Sequence, residues 1–99
     1  MNPLNLEKAL QLYTIIGKHI PENVDKDMKV LDFVGIILDS IIEKNEHSVL
    51  VQSTALMSDI YIDNIRALES NDIIELFSEG LIINNVLDLK KFCEFLNKA

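Results

Sequence analysis

Apolar side chains recur every three or four residues along nearly the whole of this 99-residue chain. Because an α-helix turns once in about 3.6 residues, this spacing gathers the apolar residues of each segment on one helical face. The segment KVLDFVGIIL at 29–38 is β-branched enough to pair as a strand, but its length and spacing favour a helix. The sequence therefore predicts an all-α fold, a single compact domain of five or six short helices over residues 1–99.

Cap and breaker residues predict where the helices begin and end. The candidate N-caps are Asn2 with Pro3 after it, Ser48, Asp63, and either Ser70 or Asp72, the latter with Glu75 at capping-box spacing. The candidate helix-ending residues are Asn45 and Gly80. The resulting helices span about 3–18, 27–44 and 49–58, followed by a short helix after Asp63, one that ends at Gly80, and one that runs to the end of the chain.

The spacing also predicts which side chains face the core. They are Leu6, Leu10, Tyr13, Ile16 and Ile20, then Leu31, Val34, Leu38, Ile41 and Ile42, with Phe33, Ile36 and Ile37 widening the apolar arc, then Leu50, Val51, Ala55 and Leu56, then Ile65 and Leu68, and finally Val86, Leu89, Phe92, Cys93 and Leu96. On the last helix, Asp88, Lys90, Lys91 and Glu94 are expected to face water. Gly35 costs its helix about 1 kcal/mol relative to alanine, so we expect another helix to cross close to the backbone there.

The net charge of the chain limits the classes of macromolecule that it is expected to bind. The chain has a formal net charge of −7, which repels phosphate backbones, so binding to nucleic acid is not expected. Its acids are concentrated between Asp59 and Asp88, where Arg66 is the only base. This acidic face either keeps an apolar chain soluble or complements a basic partner segment.

Composition favours association and an intracellular setting. Apolar residues make up 48% of the chain, and a small domain has little interior in which to bury them, so a second copy or a client protein is expected to cover some of them. A single cysteine excludes an internal disulfide, as suits a reducing cytoplasm. Neither a secretory signal nor a membrane-spanning segment is evident. We therefore expect a soluble cytoplasmic protein.

The sequence carries no recognisable catalytic, metal or cofactor motif. His19 and His47 belong to no metal-binding pair, and Cys93 lies on an apolar stripe where a buried, inert thiol is expected. The segment beginning at Asp25 fails as a calcium loop, because Val30 and Ile36 stand where that loop needs glycine and glutamate. The three glycines are too scattered to cradle phosphate. We therefore expect a protein that is not an enzyme and that uses no cofactor.

One stretch, LMSDIYIDNIRALESNDIIELFSEGLIINNVLDLKKFCEFL at 56–96, resembles the small helical tail-assembly chaperones of long-tailed, siphovirus-like bacteriophages and prophages. The matching positions are Ile60, Ile65, Leu68, Asp72, Ile73, Leu76 and Phe77. The resemblance covers about the last 45 residues, whereas the first 55 match in length and helical character. It implies a non-enzymatic protein that binds the tape measure protein in the cytoplasm of the infected cell and associates with further copies of itself.

Two interpretations of the apolar C-terminal side chains remain open. They form the surface that contacts a partner, or they complete the core of the monomer; the residues concerned are Phe77, Leu81, Phe92, Phe95 and Leu96. An alternative function also stays open, that of a small acidic helical adaptor or inhibitor that masks a basic partner surface. A transcription-related helical domain is a third possibility, against which the acidic balance counts.

Overall fold

Helices are the only regular secondary structure over the residues that the protein's structure, a computed structural model, describes: 1–25 and 27–98, with side chains up to 96. The helices are α1 (Leu6–Ile16), a short 3-10 helix (Gly17–His19), α2 (Val30–Glu43), α3 (His47–Ser58), α4 (Ile62–Arg66), α5 (Ser70–Ile83) and α6 (Val86–Lys98). No strand occurs among them, so the predicted all-α fold of five or six helices is confirmed. Residues 20–25 and 27–29, between the 3-10 helix and α2, are non-helical, and Lys26 lies outside the described residues.

The first helix begins later than Asn2 and Pro3 suggested. Its N-cap is Asn5, whose side-chain oxygen accepts a hydrogen bond of 2.9 Å from the backbone N–H of Lys8. This bond satisfies one of the N–H groups that the first helical turn leaves unpaired. The segment before it is instead tied to the far end of the chain, where Leu4 donates its N–H to the side-chain oxygen of Asn84 at 2.8 Å.

Asparagine, rather than glycine, follows the ends of α2 and α5. Asn45 has a φ of 56° and follows α2, as predicted, whereas the predicted stop at Gly80 is wrong. Gly80 lies inside α5, which continues to Ile83 and ends at Asn84 and Asn85, the latter with a φ of 45°. Asparagine tolerates this left-handed conformation, and its side chain caps the next helix by accepting from the N–H of Asp88 at 3.4 Å.

Three predicted N-caps are also displaced. Helix α3 begins at His47, so Ser48 lies within its first turn. Helix α4 begins at Ile62, and Asp63 pairs with Arg66 at 3.1 Å instead of capping. The N-cap of α5 is Glu69, whose backbone is extended, so neither Ser70 nor Asp72 with Glu75 caps this helix. In each case the observed N-cap lies one to three residues before the predicted one: Glu46 before Ser48, Tyr61 before Asp63, and Glu69 before Ser70 or Asp72.

The core lies between α1, α2, α3 and α5. Helix α3 packs against α1, α4 and α5, while α2 packs against α3, α5, α6 and the 3-10 helix. The buried apolar side chains are Leu12, Ile16, Phe33, Val34, Ile37, Ile41, Val49, Leu50, Met57, Ile65, Ile73, Phe77, Leu81, Val86, Leu89 and Cys93. Both C-terminal helices, α5 and α6, therefore pack against α2.

Several predicted core positions point outward instead. Leu6, Leu31, Ile42 and Leu68 are exposed, and so are Phe92 and Leu96, whereas Leu12, Phe33 and Ile37 take central places in the core. Where most positions of a helix are apolar, spacing alone does not fix which arc turns inward, and the packing of the neighbouring helices decides it. The expected crossing at Gly35 is also wrong: a Cβ built there meets no atom within 4 Å.

The close helix crossing occurs at Gly80. A Cβ built on Gly80 would lie 2.7 Å from Sδ and 3.1 Å from Cβ of Met57, at the contact between α5 and α3. Only the absence of a side chain at Gly80 allows the two helices to approach this closely.

Candidate protein-binding surface

Large apolar side chains remain exposed on several helices, and three of them lie together on α6. Phe92, Phe95 and Leu96 are 40%, 68% and 46% exposed. Their spacing of three and four residues places them on one side of the helix, next to one another. We call this set the α6 surface.

The adjacent side of α6 holds the helix on the rest of the protein. Val86, Leu89 and Cys93 are buried, and α6 contacts both α1 and α2. Burial raises the pKa of the Cys93 thiol, so the thiol stays protonated and packs as a small apolar group, as predicted. The α6 surface is therefore carried by a helix that is anchored along one face and open along another.

Lys90 departs from its predicted place in water. Its side chain is buried, and its ammonium pairs with the carboxylate of Glu94 and donates a hydrogen bond of 3.3 Å to the backbone carbonyl of Glu22. The aliphatic stem of a lysine packs well against apolar neighbours while its charge finds a partner, which explains the burial. Lys90 thereby fixes the loop that follows the 3-10 helix against α6.

The structure separates the five predicted contact residues into two groups. Phe77 and Leu81 are fully buried in the core between α5 and its neighbours, so the expectation that they face a partner is corrected for both. They form part of the buried face of α5 together with Ile73. Phe92, Phe95 and Leu96 stay open to solvent and define the surface available to a partner.

A serine, a histidine and a glutamate come together where the 3-10 helix, α2 and the start of α3 meet. Nδ1 of His19 lies 2.9 Å from Oγ of Ser40, and its Nε2 lies 3.4 Å from a carboxylate oxygen of Glu46. These residue types occur in hydrolase triads, but the His19 side chain is completely buried, so a substrate has no access to it. The group joins three backbone segments, and sequence spacing did not reveal it because its members are far apart in the chain.

Glu46 is held ionised at the edge of this group. The ammonium of Lys18 lies 3.2 Å from its carboxylate, and this hydrogen bond lowers the pKa of Glu46 below its ordinary value. His19 contributes a smaller effect in the same direction, against an opposing effect of burial. The arrangement is an ion pair that fastens the 3-10 helix to the start of α3.

Metal-binding clusters and membrane-spanning helices are both absent from the described part of the chain. Within 1–25 and 27–98, no three His, Cys, Asp or Glu side chains lie close enough together to hold a metal ion. Among the described helices, none is both long enough and apolar enough to cross a bilayer.

Comparisons with known proteins give one partial match. No protein-family model matches this chain, and no solved structure matches it. A protein of Trieres chinensis described as a probable RuBisCO transcriptional regulator is 32% identical over 79 residues, which is 79% of this chain and 26% of that protein. This chain thus spans about a quarter of the length of that curated relative.

Proposed function

We propose that this protein is a non-enzymatic binding protein that holds a helical segment of a client protein and associates with further copies of itself. This is the role of the phage tail-assembly chaperones that its C-terminal sequence resembles, for which the client is the tape measure protein. The observation that carries the proposal is the α6 surface, where Phe92, Phe95 and Leu96 stay exposed on one side of an anchored helix. Water contact with such aromatic groups is unfavourable, and a partner helix would remove it.

The size of this surface sets the expected strength of self-association. The exposed parts of its three side chains amount to about 300 Å², taking roughly 200 Å² for a whole phenylalanine. Stable complexes bury about 800 Å² on each partner. Contacts between copies through the α6 surface alone are therefore expected to be weak and to depend on protein concentration.

The test is a charge placed on the α6 surface. Because Phe95 is 68% exposed, Phe95→Asp should leave the fold intact and abolish association. Light scattering coupled to size-exclusion chromatography should show the native mass rising above 11.3 kDa with concentration, while the variant stays at that mass. The matched control is Tyr61→Asp, since Tyr61 is also 68% exposed but lies outside the α6 surface. A native mass fixed at 11.3 kDa would refute self-association.

A second candidate function comes from the Trieres chinensis relative. Its description as a probable transcriptional regulator, with 32% identity over 79% of this chain, favours a role in transcription. A net charge of −7 counts against contact with DNA, so DNA binding by the purified protein is the decisive observation for this candidate.

An electrophoretic mobility shift separates the two candidates. Retardation of duplex DNA at low salt by the purified protein would favour the transcriptional role, since electrostatic DNA binding is strongest there. Free migration of the DNA at all protein concentrations would leave the protein-binding role as the better proposal.

A further inference from the structure

A second apolar stripe runs along the outer side of α2. Leu31 and Ile42 are 63% and 53% exposed, and Leu38 is half-buried. With Gly35 they follow one another at spacings of four, three and four residues, which places all four on one side of the helix. We call this set the α2 stripe. It lies beside, and not within, the buried face that carries Phe33 and Ile37.

No packing contact within the monomer requires a glycine at the centre of this stripe. Glycine in a helix interior is unfavourable by about 1 kcal/mol relative to alanine. At Gly80 that cost is offset by the close approach of Met57, whereas a Cβ built at Gly35 meets nothing within 4 Å. Gly35 therefore leaves a notch between the exposed side chain of Leu31 and the half-buried side chain of Leu38.

Acidic residues follow the stripe along one edge. Asp32, Asp39 and Glu43 are all exposed, and their helical positions lie roughly 90° around α2 from the stripe. Between Val30 and Glu43 the helix contains no basic residue. Lys29 and Lys44 stand at its two ends, outside the helix. We call Asp32, Asp39 and Glu43 the acidic rim.

We propose that the α2 stripe docks an amphipathic helix of another protein whose flanking residues are lysine or arginine. The apolar side of that helix would cover Leu31 and Ile42 and approach the α2 backbone at Gly35. Its basic flank would lie against the acidic rim, which gives the surface its preference for one sign of charge.

A second copy of this chain does not fit the same place. Two copies paired antiparallel across a twofold axis would bring one acidic rim against the other, and like charges in contact are unfavourable. The proposed occupant is therefore a basic helix from a different protein, and the inference does not depend on whether the α6 surface binds a client or another copy.

The probe is a pair of fluorescein-labelled amphipathic helical peptides with the same leucine stripe, one flanked by lysines and the other by glutamates. Fluorescence anisotropy should show the lysine peptide binding at least about tenfold more tightly than the glutamate peptide, and more weakly as salt is raised. Leu31→Lys should weaken binding of the lysine peptide by about tenfold or more, since burial of a leucine is lost. Gly35→Ala should also weaken binding while raising the thermal stability of the protein, a combination that unfolding cannot produce.

Matched variants test the position of the site. Asp39→Lys and Glu75→Lys change the net charge equally, and both residues are exposed, but only Asp39 belongs to the acidic rim. Asp39→Lys should therefore weaken binding more than Glu75→Lys. Equal losses, equal binding of the two peptides, or no binding would each overturn the proposal. Dependence on Phe95 instead of Leu31 would also overturn it, while leaving the α6 surface as the binding site. Concentration-dependent association that Leu31→Lys abolishes would assign the stripe to a second copy instead.

Discussion

The two helix-interior glycines give opposite predictions for the same substitution. In Gly80→Ala, the new methyl group would lie 2.7 Å from Sδ, 2.8 Å from Cε and 3.1 Å from Cβ of Met57. The terminal atoms of Met57 can rotate away, but its Cβ moves only with the α3 backbone. In Gly35→Ala, the methyl group meets no atom within 4 Å.

The magnitudes follow from two opposing effects. Replacing glycine by alanine stabilises a helix interior by about 1 kcal/mol. Overpacking a core position costs about 1 to 3 kcal/mol. Gly35→Ala should therefore raise the free energy of unfolding by about 1 kcal/mol, whereas Gly80→Ala should lower it by up to about 2 kcal/mol. The two variants should differ by at least about 4 °C in melting temperature.

Urea denaturation followed by circular dichroism measures both variants, provided that the slope of the transition is unchanged. Adding Met57→Ala removes the two closest contacts, Sδ and Cε, and keeps the Cβ contact at 3.1 Å, so Gly80→Ala should be less destabilising in that background than beside Met57. Equal stability of Gly80→Ala and Gly35→Ala in the native background would refute the close crossing of α3 and α5.

Two further predictions concern polar groups. Thr54 is fully buried in α3 and its hydroxyl has no hydrogen-bond partner, so Thr54→Val should raise the free energy of unfolding by about 1 kcal/mol, as measured by urea denaturation. A loss of stability in this variant would mean that the hydroxyl is paired. The lowered pKa of Glu46 gives stability that is complete above about pH 4.3 and is lost as the pH falls through the lower pKa of the folded state. Glu46→Gln should remove this contribution. Plots of the free energy of unfolding against pH for the native protein and the variant should therefore converge in acid. Parallel plots would contradict the ion pair with Lys18.

Helical spacing was enough to predict the fold class, because it depends only on neighbours within the same helix. Helix ends were predicted less well. Asn45 is identified correctly, but the predicted cap Asn2 is wrong, because the structure uses Asn5, which also precedes apolar residues at helical spacing. The segment before Asn5 is held by a different contact, because the N–H of Leu4 donates a hydrogen bond to the side chain of Asn84, 80 residues further along the sequence.

The faces of the helices depended on tertiary packing and could not be predicted reliably. In α2, apolar residues occupy so wide an arc that Leu31 and Phe33 were equally plausible core residues, and only the positions of α3 and α5 decide between them. Gly35 was predicted to lie at a close helix crossing, which occurs at Gly80, and Gly80 was predicted to end a helix that ends at Asn84 instead. The sequence did not distinguish them because a glycine carries no signal of what packs against it. Lys90 was missed because charge alone predicts exposure.

For the candidate surface, sequence reasoning proposed five residues, of which three are exposed. Phe92, Phe95 and Leu96 are open because α6 packs through Val86, Leu89 and Cys93, and an adjacent arc of the helix is left uncovered. Phe77 and Leu81 have the same apolar character but face α2 and α3 from the middle of the chain's core. Chemical type therefore suggested the class of site, and packing determined its members.

The most direct test of the α6 surface is a concentration series of ¹H–¹⁵N correlation spectra of the uniformly labelled protein. If the α6 surface mediates association, the amide signals of residues 92–96 should shift progressively with concentration, while those of the buried core helix α3 stay fixed. Shifts confined to another helix, or spectra that do not change with concentration, would contradict the account.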